Sequence, residues 1–326
     1  MGRRVVRIPA TLGVIAVLLF GLLGPAAGAP RVRLSIVTGG TGGVYFILGG
    51  GMAKLISANV PGVEATAEVT SASVDNMRLI GAKRADLAMT LGDTALDAVR
   101  GNEAFRGSAV PAMTLFPMYN NFNHLVTTEG SGVNTVADLR GKRVSVGSPG
   151  SGTEVTALRI LEAAGLDPDR DIRKDRLGVA PSVDALRDRR IDAFFWSGGL
   201  PTSAVLDLAA TPGMRMRLIP LDSVLPAMQR KYGDVYFRSV IIKDIYPGTA
   251  ANVPTIGVVN LMVVHRDFPA DLAYQITKLV FERRGELAQV HPEAANITVN
   301  GLATRALLPV HPGAARYYRE RGVEGF

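Results

Sequence analysis

Two glycine-rich runs constrain this chain more than any other feature: TGGTGG at residues 38–43 and GSPGSG at residues 147–152. Each follows an apolar, strand-like run, at 32–37 and 143–146, and each precedes a helical pattern, at 44–58 and 153–164. In the first pattern Tyr45, Leu48, Met52, Leu55 and Ile56 recur at the spacing of one helix face. The first N–H groups of such a helix have no intrahelical partner, and glycine lets the backbone approach a ligand closely. One loop of this kind also suits a tight turn at a close helix–strand contact. A second copy in the same chain points to a pair of polar-group cradles.

The surroundings of the two loops echo each other. After TGGTGG come a strand at 63–70, a helix opening with Ser73–Val74–Asp75, and a short buried strand at 86–90. Ser73 is placed to accept from the first helical N–H groups. After GSPGSG the order recurs, with a helix opening at Ser182–Val183–Asp184 and a strand at 191–195. Thr41 to Ser73 spans 32 positions and Ser151 to Ser182 spans 31. This predicts two similar α/β lobes with a cleft where the two sets of strand ends meet.

Strand-like runs at 110–117 and 123–127, separated by the polar stretch 119–121, carry the chain onward. Further helices are expected at 202–210, 224–232 and 272–281, with extended segments at 214–220 and from 240. A β-rich run at 257–265 returns the chain to the first lobe. The expected division is residues 30–127 for the first part of lobe I, 128–256 for lobe II, and 257–326 for the rest of lobe I. Two hinge crossings leave lobe I discontinuous, an arrangement suited to closure because paired strands bend together.

Candidate ligand contacts follow from these positions. The first loop offers Thr38, Gly40, Thr41, Gly42 and Gly43, with Tyr45 one turn into the helix. The second offers Ser148, Gly150, Ser151, Gly152 and Thr153. Ser73 and Asp93 lie beyond their strands, and WSGGLP at 196–201 contributes Trp196, Gly198 and Pro201. Hydroxyls and backbone donors at two helix starts match a carboxylate, each charge-assisted contact contributing roughly 1.5–3 kcal/mol before ordering costs. Tyr45 supplies a donor, a wall or core packing. Asp93 and Glu154 serve either a ligand or their helix starts, and Trp196 either a pocket or the core.

Other chemistry finds no pattern here. Neither loop has the Lys–Ser/Thr pair of a P-loop or a Gly-x-Gly-x-x-Gly register. His124, His265, His291 and His311 lack metal-ligand spacing, there is no cysteine, and Ser151 in GSGTE is not a nucleophile elbow. The expectation is a protein that is not an enzyme and needs no cofactor or metal.

With 326 residues and 47% hydrophobic content, two domains are favoured over one. Arg3, Arg4 and Arg7, an apolar run at 12–23 and small residues at 26–29 form the pattern of a signal peptide, residues 1–29, cleaved near 27–29. Export to a periplasm follows. Without those three arginines the 36 basic residues fall to 33 against 29 acidic ones, about +4, which tolerates an anionic solute. Aspartates interrupt the basic clusters at 170–176 and 187–190, so nucleic acid is not an expected partner.

TGGTGGVYFILGGGMAKLI at 38–56, SASVDNMRLI at 71–80, VSVGSPGSGTEVTALRILEAAGL at 144–166 and IDAFFWSGGLPT at 191–202 together resemble the TAXI family of periplasmic solute-binding proteins. The resemblance covers essentially the mature chain. It implies a Venus-flytrap, periplasmic-binding-protein fold and the solute-binding subunit of a TRAP transporter, driven by an ion gradient, whose membrane permease subunits are commonly fused. It also implies glutamate or a related dicarboxylate as ligand, with the first loop and Tyr45, the second loop at 148–153 and the Trp196–Pro201 region as its contacts. Leu91–Gly92 departs from the more polar pair of that family before Asp93. A monomer is expected. The alternative reading is an extracytoplasmic sensor or adaptor for a signalling membrane protein.

Overall fold

The computed structural model describes residues 1–2, 32–299 and 307–325, so all but the first two residues of the expected export segment, 1–29, lie outside the described residues. The chain opens with β1 (Val32–Val37), α1 (Val44–Asn59), β2 (Val63–Glu68), α2 (Ser73–Gly81), β3 (Leu87–Leu91) and α3 (Gly92–Arg100). β1 pairs in parallel with both β2 and β3, as alternation of strand and helix dictates. Leu48, Met52 and Ile56 of α1 are almost wholly buried, each contributing about 1.5–3 kcal/mol.

The chain then enters β4 (Ala112–Thr128), one continuous strand of 17 residues where the sequence suggested two. The polar stretch between the expected strands does not break it, because Asn121 and Asn123 are satisfied by side-chain and backbone partners in the interior. Lobe II follows with β5 (Arg143–Ser145), α4 (Gly152–Ala163), β6 (Arg173–Asp175), α5 (Val179–Arg187), β7 (Ala193–Gly198), α6 (Ser203–Ala209), β8 (Met216–Leu218), α7 (Leu225–Tyr232) and β9 (Tyr236–Ile241). β10 (Val253–His265) returns the chain to lobe I, where α8 (Ala270–Glu282), α9 (Arg284–Val290) and α10 (Pro312–Glu320) cover the sheet.

The main strand order is β2-β1-β3-β10-β4-β7-β5-β6, with β8 on β4 and β9 on β10. Among the described strands, only β4 and β10 belong to both lobes. β10 pairs with β3 over Asn260–Val264 and with β9 over Val253–Val258, while β4 pairs with β7 over Phe122–Thr127. Their mutual register slips between Val259 and Leu261 and between Met262 and Val263. Bulges of this kind bend a strand pair, and these lie where the two lobes join. The expected two-lobed α/β fold with a discontinuous first lobe is therefore the observed one.

Three local expectations are corrected. α5 begins at Val179, not Ser182, because Pro181 fits the first helical turn and needs no N–H partner there. Ser182 instead faces inward and shares a 2.9 Å hydrogen bond with Ser145. Ser73 does not cap α2: the cap position is Ala72, at φ 82°, and the Ser73 hydroxyl accepts from the Leu91 N–H at 3.1 Å. The strand expected from residue 240 begins earlier, at Tyr236, whose side chain is fully buried.

A cavity at four helix starts

Four helices begin at one cavity. The N-cap residues of α1, α2, α4 and α5 are Gly43, Ala72, Ser151 and Gly178, and all four line it. Two of these helices belong to lobe I and two to lobe II. Their positive dipole ends therefore face a common space from both sides, although the Val74 and Asp75 N–H groups of α2 and the Glu154 N–H of α4 already have partners within the protein. That space measures about 590 Å³ between the lining atoms, counting its open side. Its described lining consists of hydroxyl, amide, aromatic, aliphatic and glycine groups.

Of the residues proposed from sequence, Gly40, Gly43, Tyr45 and Ser73 reach the cavity from lobe I. Ser148, Ser151, Gly152 and Thr153 reach it from the second loop, and Trp196 and Gly198 from β7. Ser151 caps α4, accepting from the Glu154 N–H at 3.0 Å. The Glu154 carboxylate accepts in turn from the Gly150 N–H at 3.0 Å and pairs with Arg176, which fixes the loop without touching the cavity lining. Trp196 stands with its ring edge over Gly43, where an added Cβ would come within 3.1 Å, and its Nε1 donates to Thr202.

The remaining six lie elsewhere. Thr38 is buried and donates to the Glu68 carbonyl at 2.7 Å, tying β1 to β2. Thr41 is exposed, turned outward by its neighbour Gly42 at φ 84°. The Gly42 carbonyl accepts from the Ser203 hydroxyl at 2.9 Å and the Ala204 N–H at 3.4 Å, across the lobes at the start of α6. Gly150, at φ 78°, makes the reciprocal contact. Its carbonyl accepts from the Val74 and Asp75 N–H groups at the start of α2, at 3.1 and 3.2 Å. Each glycine loop thus caps a helix of the opposite lobe. The Pro201 carbonyl accepts from His291 Nε2 at 3.1 Å, a third contact between lobes.

Asp93 is buried away from the cavity and bound across the lobe interface. Its carboxylate accepts from the Tyr236 hydroxyl at 2.5 Å and from Thr156 at 3.3 Å, and stands 3.7 Å from Arg159. Arg159 also binds Asp97 at 2.5 Å and the Tyr236 hydroxyl at 3.1 Å. Burial by itself would lower the Arg159 pKa, but Tyr236, Asp93 and Asp97 outweigh it and keep the guanidinium charged. α3 of lobe I and α4 of lobe II are joined here by a buried ionic group.

Sequence reasoning missed Tyr119, Asn121 and Ser197, which line the cavity from β4 and β7. They belong to a polar chain crossing both lobes. Tyr45 donates to Asn260 Oδ1, Asn260 Nδ2 donates to Asn121 Oδ1 at 2.7 Å, and Asn121 Nδ2 donates to the Ser197 hydroxyl at 3.3 Å. Burial raises the Tyr45 pKa far above the ordinary range, so its phenol stays a donor. The polar run at 119–121 between two apolar strand runs was the available signal. Among the described residues no group of three or more His, Cys, Asp or Glu could hold a metal ion, and no helix is long and apolar enough to cross a membrane.

The fold is similar to that of a protein from Bordetella bronchiseptica RB50, with TM-score 0.54 and 15% identity over 90% of this chain and 99% of the other. It is similar to a structure described as a periplasmic transporter, with TM-score 0.51 and 14% identity over 90% and 93%. The periplasmic aliphatic sulphonate binding protein SsuA from Escherichia coli aligns with TM-score 0.46 and 16% identity over 91% and 94%. The first two of these structures share the two-lobed α/β architecture described above. A model described as the NMT1-like family matches residues 36–322, nearly the whole described chain, and the chain belongs to that family.

Proposed function

We propose that this protein is the extracytoplasmic solute-binding subunit of a TRAP-type, ion-gradient-driven transporter of the TAXI kind. It captures a small anionic solute, glutamate or a related dicarboxylate, and delivers it to a membrane permease. The observation that carries this reading is the convergence of four helix N-termini, two from each lobe, on one cavity beside a bulged strand hinge. A diacid held there meets dipoles and N–H donors from lobe I at one end and from lobe II at the other. Binding at both ends favours the closed arrangement by the difference in affinity between closed and open lobes. The closed surface is then what a permease recognises.

In this reading Ser151, Thr153 and the first turns of α1 and α4 contact the acid, and Trp196 with Tyr45 forms the walls. The protein works in the periplasm, after loss of residues 1–29, as a monomer. Titration calorimetry of the purified protein against amino acids, dicarboxylates, sugars and apolar amino acids tests the ligand class. Binding of an acid supports the reading, and binding of neutral solutes alone refutes it.

A further inference from the structure

The lobes meet along the cavity through two reciprocal pairs of knob and hollow. At Gly43 of lobe I an added Cβ would come within 3.1 Å of Cη2 and 3.4 Å of Cζ2 of Trp196, which belongs to lobe II. At Gly152 of lobe II it would come within 2.6 Å of both Leu91 Cδ1 and the Ser73 hydroxyl oxygen, which belong to lobe I. All five residues line the cavity. Other glycines of the same loops behave differently. Gly39 would meet Ala72 and Tyr45, and Gly147 would meet Thr153 and Glu154, each within its own lobe.

Backbone conformation does not explain glycine at positions 43 and 152. Gly43 is extended, at φ −98°, and Gly152 is the first residue of α4 with no positive φ, so any L-residue fits either backbone. Gly43 also gives α1 no side-chain cap, which Ser, Thr, Asp or Asn would supply. What glycine provides at both places is room for the other lobe. Gly42 and Gly150 crowd the opposite lobe as well, at Ala204 and Asp75, but their positive φ already calls for glycine.

The knobs are firmly held. Trp196 Nε1 donates to Thr202 at 2.8 Å, and the ring lies so close to Gly198 that a Cβ there would overlap Nε1. Leu91 is 2% exposed, and its N–H donates to the Ser73 hydroxyl at 3.1 Å. Bulk added in either hollow therefore displaces the opposite lobe, since a close-packed contact has no spare volume to take it up.

We propose that Gly43 and Gly152 are positioning residues for lobe closure: the hollows they leave admit Trp196 and Leu91 from the opposite lobe, and filling either hollow holds the cleft ajar. This goes beyond the anionic-solute reading and holds for whatever small molecule the cavity takes.

The chain has no cysteine, so Lys54→Cys on α1 and Asp207→Cys on α6, both exposed, take spin labels at those two places alone. Pulsed electron paramagnetic resonance then gives the ratio of closed to open lobes, closed being the label separation of this structure. It is measured on the protein alone and with excess L-glutamate, succinate or glucose. Wild type closes under at least one of these conditions. There, Gly152→Ala and Gly43→Val each lower the ratio by roughly tenfold or more. Valine is used at 43 because a lone Cβ at 3.1 Å asks Trp196 to yield only slightly. Gly50→Ala, on the exposed side of α1 with open space around its Cβ, leaves the ratio within about twofold. In a Trp196→Leu background, which removes the knob, Gly43→Val lowers the ratio by less than about threefold, whereas a defect in the start of α1 would persist. An unchanged ratio in both Gly152→Ala and Gly43→Val, a full Gly43→Val effect in the Trp196→Leu background, or no closed wild-type population under any condition overturns the proposal. Closure driven by glucose alone refutes the anionic-solute reading and leaves this one standing.

Discussion

Replacing Arg159 by Met removes the one cation from the buried group that joins α3 to α4. The side chains of Arg159, Asp93 and Asp97 are 7%, 0% and 15% exposed, so solvent does not screen the pairs as it does at a surface. Removing one member of a buried ionic group costs about 3–5 kcal/mol, because the partner charge stays behind in a poorly solvated place. Two carboxylates are stranded here, but Tyr236 and Thr156 still donate to Asp93, which places the expected loss near 3 kcal/mol. Since the group bridges the lobes, part of that loss should also appear as weaker solute binding. Urea unfolding monitored by circular dichroism gives the stability term, and calorimetry gives the binding term. Adding Asp93→Asn and Asp97→Asn to Arg159→Met should recover much of the stability, since no unpaired charge then remains. A loss below about 1 kcal/mol for Arg159→Met, or no recovery in the triple variant, would falsify the view that these charges depend on one another.

Three other outcomes follow from the same geometry. Gly150→Ala places a Cβ 2.5 Å from the Asp75 carboxylate at φ 78°, so it should weaken solute affinity by roughly tenfold or more through loss of the Gly150 carbonyl contact to α2, and unchanged affinity in calorimetry would count against that contact. His124 is held neutral, donating to the Phe122 carbonyl at 2.8 Å and accepting from Tyr246 at 3.0 Å, and burial lowers its pKa to about 4. Its unfolded form takes up a proton near 6.5 while the folded form does not, so stability should fall as pH drops from about 6.5 to 4, by on the order of 3 kcal/mol, and His124→Gln should flatten that stretch of a pH–melting curve. Trp196, the single tryptophan, lines the cavity, so its fluorescence should change on titration with a binding acid and not with a non-binding sugar.

The alternation of strands and helices was legible because burial imposes a period of two or 3.6 on the apolar residues, and both glycine loops were placed correctly between strand and helix. The loops' second role was not legible. Gly42 and Gly150 carry positive φ and turn their carbonyls toward helices of the other lobe, a contact between residues more than 70 positions apart that no local pattern encodes. The same limit applies to Asp93. Its neighbours suggested a ligand contact or a cap, whereas its partners Thr156, Arg159 and Tyr236 come from distant parts of the chain. Tyr119 and Asn121 were visible only as polar residues between apolar runs. That they sit inside one continuous strand, at the bulged junction of the lobes, depends on tertiary partners such as Asn260.

The central claim is that a small acid lies in the cavity between the lobes and joins them. A crystal structure of the protein grown with the tightest-binding acid from the calorimetric panel measures this directly. It should show carboxylate oxygens within hydrogen-bond reach of the first turns of α1 and α4. Density for that acid on an outer surface, with the cavity filled by water alone, would contradict the account.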